Sequence, residues 1–269
     1  MQLSVITDEI DARLGPALDV CAELGIRAVE LRTVDGVQIV DHTPAALRTM
    51  RAELDARGFD VCAIASPFLK CDRGDDPDAQ ERVLGRALEA ASVLSAPLVR
   101  AFAYWREPDP SAALAELGSA LRLAATRASD VGVTLALENE HECNVATSVE
   151  ARDALDAAGS PQLRLIWDPG NAAMLDPGSF GGLGGLEAIY DRVAHVHVKD
   201  VSSSGSWTRI GDGIVDFPAL LRYLADADYD GYLSFETHYQ RDGSGALATR
   251  DCVAGLRSIA AQVGVELAA

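Results

Sequence analysis

The chain has 269 residues, 48% of them hydrophobic, which is enough to bury a full core in one barrel-sized domain spanning 1–269. Its 41 acidic against 23 basic residues leave a net charge of −18, setting the surface against polyphosphate chains and anionic membranes, so neither nucleic acid nor membrane is an expected partner. Five scattered cysteines without a CxxC pair, apolar runs far short of a membrane span, and a start (Met1-Gln2-Leu3-Ser4) lacking a basic leader point to a reduced, cytoplasmic protein.

Short runs rich in Val, Ile and Leu alternate with longer Ala-, Leu- and Arg-rich segments along the whole chain. Strands are expected at 2–6, 27–31, 60–65, 97–103, 133–138, 163–168, 193–198 and 232–236. Helices are expected near 13–24, 44–57, 77–95, 110–130, 147–158, 182–190, 217–227 and 245–263. Eight such units in about 250 residues match the (β/α)8 TIM barrel, an α/β fold of a single domain whose functional groups sit on the loops after the strands. Thr43-Pro44 and Asp216-Phe217-Pro218 read as helix starts. Gly25, Gly58, Gly132 and Gly231 lie between a helix and the next strand, where a left-handed residue ends a helix cheaply. The glycine run 181–185 lacks the strand-to-helix setting and trailing Lys-Ser/Thr of a phosphate loop, and reads as a flexible loop entering a short helix.

Four of the expected strands end on a residue that can ligate metal: Glu138, Asp168, His197 and Glu236, spaced 30, 29 and 39 residues apart. Alternation sets Leu233 and Phe235 on one face and Ser234 and Glu236 on the other, and likewise separates Leu135 and Leu137 from Ala136 and Glu138. The apolar face would meet the helices, and the ligand face would converge at the barrel centre. Three carboxylates meeting there would take up protons unless a cation neutralised them, so one divalent metal ion is expected. Three oxygens and one nitrogen suit Mn²⁺, placed first, and equally Mg²⁺, Co²⁺ or Zn²⁺.

His195 and His197 share a strand face; His197 is nearer the carboxyl end and is read as the ligand, with His195 a layer deeper. Lys199, Asp200 and Arg209 fall in the long loop after the seventh strand, where charges can grip a phosphate, carboxylate or polyol. Trp105, with Tyr104 and Arg106, follows the fourth strand and Phe68 with Lys70 the third, offering either an aromatic wall or plain packing. Glu140 and His141 follow Glu138, with function and solvation evenly matched.

At these residues the chain resembles the xylose-isomerase-like TIM barrels, which include sugar phosphate isomerases and epimerases. The resemblance runs through Val5-Ile6-Thr7-Asp8-Glu9, Gly25-Ile26-Arg27-Ala28-Val29-Glu30-Leu31-Arg32, Leu137-Glu138-Asn139, Trp167-Asp168-Pro169-Gly170-Asn171, His195-Val196-His197-Val198-Lys199-Asp200, Gly211-Asp212-Gly213-Ile214-Val215-Asp216-Phe217 and Tyr229-Asp230-Gly231-Tyr232-Leu233-Ser234-Phe235-Glu236. It implies a metal site at Glu138, Asp168, His197 and Glu236, with the two glutamates also acting as the acid/base pair. Three positions depart from the ketose-epimerase pattern: Asn171 where a histidine is expected, Ser203 where an arginine is, and Asn144 where a glutamate is. Lys199-Asp200 and the Gly-Asp-Gly stretch look more like the inosose dehydratase and inosose isomerase branch, which acts on cyclic keto-polyols.

The expected activity is a metal-dependent isomerase or epimerase of a sugar or polyol, with proton abstraction beside a carbonyl by Glu138 or Glu236 and return by the other. Asn171, Lys199, Asp200, Arg209, Trp105 and His195 are the expected substrate-binding residues. The alternatives are an inosose dehydratase sharing the same enolate, a phosphodiester hydrolase like the apurinic endonuclease of this fold, and a sugar-binding barrel without catalysis. Five histidines and an acidic surface disfavour the endonuclease. A homo-oligomer is left open.

Overall fold

A computed structural model describes residues 1–178 and 180–268. Eight strands form a closed, wholly parallel barrel: β1 Gln2–Ile6, β2 Ala28–Leu31, β3 Asp60–Ile64, β4 Leu98–Ala101, β5 Thr134–Glu138, β6 Leu163–Trp167, β7 Val193–Val198 and β8 Tyr232–Phe235. Each pairs with its neighbours in chain order, and β8 closes on β1 with Ser234 opposite Ser4. Around them lie α1 Leu14–Glu23, α2 Pro44–Arg57, α3 Pro77–Leu94, α4 Leu114–Asp130, α5 Ser148–Ala158, α6 Pro169–Leu175, α7 Phe217–Asp226 and α8 Gly245–Val263.

The alternating pattern does what it predicts. Leu135, Leu137, Leu165, Trp167, Val196, Val198, Leu233 and Phe235 are fully buried in the large core between strands and helices. Such burial contributes roughly 1.5–3 kcal/mol per large apolar side chain. A separate, smaller cluster of Ala28, Cys62, Ala63, Leu98, Ala136 and Ile166, with Ala194 and Tyr232 against it, forms an apolar floor apart from that core. Three of its members are register partners of polar barrel residues: Ala63 of Glu30, Ala136 of Arg100 and Ile166 of Glu138.

The sixth unit departs from expectation. Residues 182–190 form no α-helix among the described residues; two short 3-10 turns, Leu186–Ala188 and Tyr190–Arg192, take that place. Gly182, Gly184 and Gly185 sit at positive φ of 56°, 62° and 83°, which breaks helical continuity. The helix of this unit is α6, which starts at Pro169, with Asp168 accepting a hydrogen bond from Asn171 N at 2.9 Å as its cap. Gly231 also differs: it is not left-handed, and Asp228 with φ 52° takes that turn after α7. Gly231 instead lies under Tyr229, whose hydroxyl would be 2.5 Å from an added Cβ. The loop after β7 folds into a hairpin pairing Asp200–Val201 with Trp207–Thr208, and a second hairpin pairs Thr33–Val34 with Val37–Gln38. No described helix is long and apolar enough to cross a membrane.

Candidate functional site

Glu138 closes β5, Asp168 follows β6, His197 lies in β7 and Glu236 follows β8, so the barrel delivers one ligating group from each of four adjacent strands. All four are buried, and one ligand atom from each lies within 4.8 Å of the others. His197 Nδ1 is 2.9 Å from Glu138 Oε1, 3.6 Å from Glu236 Oε2 and 3.9 Å from Asp168 Oδ2.

Metal is not the only positive charge available, which corrects the premise that little else could hold three carboxylates together. Arg100, projecting inward from β4, donates to Glu138 Oε2 at 3.0 Å. Arg32, just past β2, donates to Glu236 Oε1 at 2.8 Å and also holds Asp8 and Glu9. Lys199 is not an exposed loop charge: it is wholly buried at the end of β7, with Nζ 2.9 Å from Asp168 Oδ2 and 2.7 Å from Glu236 Oε2. Burial alone would lower the Lys199 pKa, but Asp168 and Glu236 outweigh it and drive it upward. Burial pushes the Asp168 carboxyl up, with the neighbouring Glu138 and Glu236 charges adding to it. For Glu236 burial also raises the pKa, yet Lys199, His197 and His238 prevail and keep it well below the usual carboxylate range.

The residues still fit a divalent cation. Asp168 Oδ1 is spent on the α6 amide, while Oδ2 is buried and receives no directed hydrogen bond despite the nearby ammonium. Seven carboxylates (Asp8, Glu9, Glu30, Glu138, Glu140, Asp168, Glu236) share a network with four fixed cations (Arg32, Lys70, Arg100, Lys199), leaving negative charge for a dication. Three carboxylates and an imidazole nitrogen are a donor set for Mg²⁺, Mn²⁺, Co²⁺ or Zn²⁺.

The expected substrate residues separate into two groups. Asn171 belongs with the tetrad: its Nδ2 donates to Asn139 O at 2.9 Å and reaches Glu138 Oε1 at 3.4 Å, while its Oδ1 meets His141 Nδ1 at 3.0 Å. Lys199 joins it there. His195 lies beneath His197, almost fully buried, with Nε2 3.1 Å from Glu30 Oε2, so it orients rather than lines the opening. Asp200 accepts from the amides of Val201, Gly211, Gly213 and Val215 at 2.9–3.2 Å; both its oxygens are committed to folding the loop. Arg209 points to α8 and pairs with Asp251 O and Asp212, away from the tetrad. Trp105 is 37% exposed at the rim, where Lys70 Nζ lies 5.4 Å from its ring centre.

Trp207 is the aromatic wall instead. Its ring sits 4.9 Å from Lys199 Nζ and packs against both His141 and His238. Beside it opens a cleft of about 200 Å³ whose lining includes Arg32, Lys70, Phe102, Glu140, Glu236 and His238. A larger apolar hollow lies outside the barrel between α3 and α4, where no ligating cluster is found among the described residues. Sequence reasoning missed Glu9, Glu30, Arg32, Arg100, Trp207 and His238 as site residues. A charge in the middle of a buried parallel strand, as in Ala28-Val29-Glu30-Leu31 and Leu98-Val99-Arg100-Ala101, was the available signal for two of them.

With this geometry established, the class follows: the chain belongs to the xylose isomerase-like TIM barrel family, whose model matches residues 18–259. It is 30% identical over 167 residues to the ketose 3-epimerase of Arthrobacter globiformis, covering 59% of this chain and 55% of that protein. It is 27% identical over 127 residues to the inosose dehydratase of Erwinia tasmaniensis, covering 40% and 42%. The chain thus spans about half the length of the curated relatives it matches. Its fold is that of the IOLI protein crystallised with a zinc atom (TM-score 0.80, 17% identity, 98% and 99% of the chains). A D-psicose 3-epimerase crystallised with D-fructose shares it as well (TM-score 0.75, 17% identity, 98% and 100%).

Proposed function

We propose that this protein is a divalent-metal-dependent isomerase or epimerase of a sugar or polyol bearing a carbonyl. The observation that carries the reading is the convergence of Glu138, Asp168, His197 and Glu236 in one buried cluster, beneath a cleft of about 200 Å³. These four residues would hold the cation, Mn²⁺ being our first choice, and the bound cation would supply charge stabilisation to the developing oxyanion. Glu138 and Glu236 are the acid/base pair. One, entering ionised, takes the proton from the carbon beside the carbonyl, the C–H electron pair passes into an enediolate double bond, and the other, entering protonated, gives its proton to the opposite face or the neighbouring carbon; the pair then returns to its starting state by exchange with solvent. Arg100 and Arg32 each hold one oxygen of a glutamate, leaving the other turned inward. Trp207 and the buried setting would keep bulk water from the enediolate, while the glutamates exchange their protons with solvent between turnovers.

A dehydratase reading shares the first step and then expels a β-hydroxyl; it is supported by the inosose dehydratase relatives and by Asn171, Ser203 and Asn144. The same proposal has the protein cytoplasmic, acting on small molecules and not on nucleic acid. Metal analysis of wild type and Asp168→Asn, with both turned over against ketoses, sugar phosphates and inososes, tests it. Near one metal per wild-type chain, much less in the variant, and turnover of one substrate class are expected. Equal metal in both proteins would remove the site.

A further inference from the structure

Below the tetrad lies a buried carboxylate that the acid/base reading does not use. Glu30, in the middle of β2, is wholly buried and directs Oε2 at three polar groups: His195 Nε2 at 3.1 Å, His197 Nε2 at 3.1 Å and Ser234 Oγ at 2.9 Å. The barrel register makes this convergence, since Ser234 lies opposite His197 and His195 precedes His197 by two residues on the same strand face. An ionised carboxylate only accepts, so each of the three contacts requires a donor on the other side. His197 therefore holds a proton on Nε2. Its Nδ1 lies 2.9 Å from Glu138 Oε1 and also faces Glu236 and Asp168, so the proton that the same rule places there is the one an arriving cation would displace.

We infer that Glu30 is the positioning residue of the metal centre, fixing the ring and tautomer of His197 so that the Nδ1 lone pair is presented to the cation. This rests on the metal reading given under Proposed function. A glutamate serving only as a counter-charge needs one contact to one histidine. Here a single oxygen gathers both histidines and the serine, and His195 stands edge-on to His197 at 85° with ring centres 5.3 Å apart, which wedges the ligand ring in place. A carboxylate behind a ligating imidazole orients the ring and raises its basicity, and losing it typically costs 10–100-fold in metal affinity. Of the four tetrad residues, Glu30 contacts His197, so its effect on the cation would pass through that ring.

The test uses the wild-type chain first. Long-range proton–nitrogen NMR of the ¹⁵N-labelled protein, with chelator and then with saturating Zn²⁺, reads the histidine tautomers directly, the His195 signals being assigned with His195→Gln. The expected result is a retained Nε2–H on His197 and a Zn²⁺-induced shift at its Nδ1. Zn²⁺ bound through Nε2, or leaving both His197 nitrogens unshifted while calorimetry records binding, overturns the inference but keeps the metal centre; no binding at all removes both. Glu30→Gln should then lose about 10–100-fold in Zn²⁺ and Mn²⁺ affinity and alter the Mn²⁺ EPR spectrum. Glu30→Asp, which keeps the charge but withdraws the oxygen, should move both readouts the same way. A folded variant with wild-type affinity and spectrum overturns the assignment, and should neither fold, the wild-type NMR result decides it.

Discussion

Replacing Lys199 with Met keeps most of the side-chain volume and removes only the charge. In the folded protein that charge is wholly buried and lies 2.9 Å from Asp168 Oδ2 and 2.7 Å from Glu236 Oε2. Removing one partner of a buried ion pair leaves the other uncompensated, at a typical cost of about 3–5 kcal/mol. Glu236 retains Arg32, but Asp168 keeps only the more distant His197, so the full range applies rather than its discount. With a urea m value of about 3 kcal/mol/M, the midpoint in chelator should fall by about 1–2 M. A divalent cation should close part of this gap, because the two freed oxygens bind it better than when an ammonium competes. Each protein gains about 2.7 kcal/mol at a hundredfold excess over its own Kd, so at equal metal the tighter-binding variant gains more. The assay is urea unfolding of both proteins followed by circular dichroism, with EDTA and with Mn²⁺. A variant within 1 kcal/mol of wild type in EDTA, or a gap that Mn²⁺ leaves untouched, would refute the electrostatic account of the site.

Glu9 provides a pH test. Burial raises its pKa, but the His238 hydrogen bond and the Arg32 charge outweigh it and bring it to about 2 from 4.5, a shift corresponding to roughly 3 kcal/mol of stability. Because the folded pKa is depressed, this contribution is complete above pH 4.5 and is lost as pH falls toward about 2. The stability advantage of wild type over Glu9→Gln should shrink across that window, and a gap constant with pH would contradict the assignment. Gly170→Ala places a Cβ 2.6 Å from Lys199 Cγ and 2.8 Å from Lys199 O, a clash expected to cost about 1–3 kcal/mol. Its Tm should fall by roughly 2–4 °C per kcal/mol, with metal affinity falling too; an unchanged Tm would show that the close approach is not constraining.

The barrel and its tetrad were legible because both follow from periodicity. The two-residue repeat aimed Glu138 and Glu236 inward, and the regular unit length set four strand ends around one centre. Each of the eight strands was anticipated to within a few residues. The α6 helix was not, because its seven residues begin directly after Asp168, and the Asp168-Pro169 start signal was read as part of the motif. The cations around the tetrad were hidden for another reason. Lys199 looks like a loop charge until the chain closes and buries it, and Arg32 reaches Glu236 across 204 residues of sequence. Trp207 and Trp105 are equivalent by composition; only the hairpin that pairs Val201 with Trp207 carries one of them over Lys199.

The central claim is proton abstraction beside a carbonyl by Glu138 and Glu236, and solvent exchange reports it without a coupled assay. Metal-loaded protein is incubated in heavy water with the substrate found by screening, and deuterium at the carbon beside the carbonyl is followed by NMR in wild type, Glu138→Gln and Glu236→Gln. Each variant should retain measurable metal, and exchange should fall by at least the roughly 10²-fold typical of losing a general base, in step with turnover. Wild-type exchange in both variants would contradict the account and assign the proton transfer to another group.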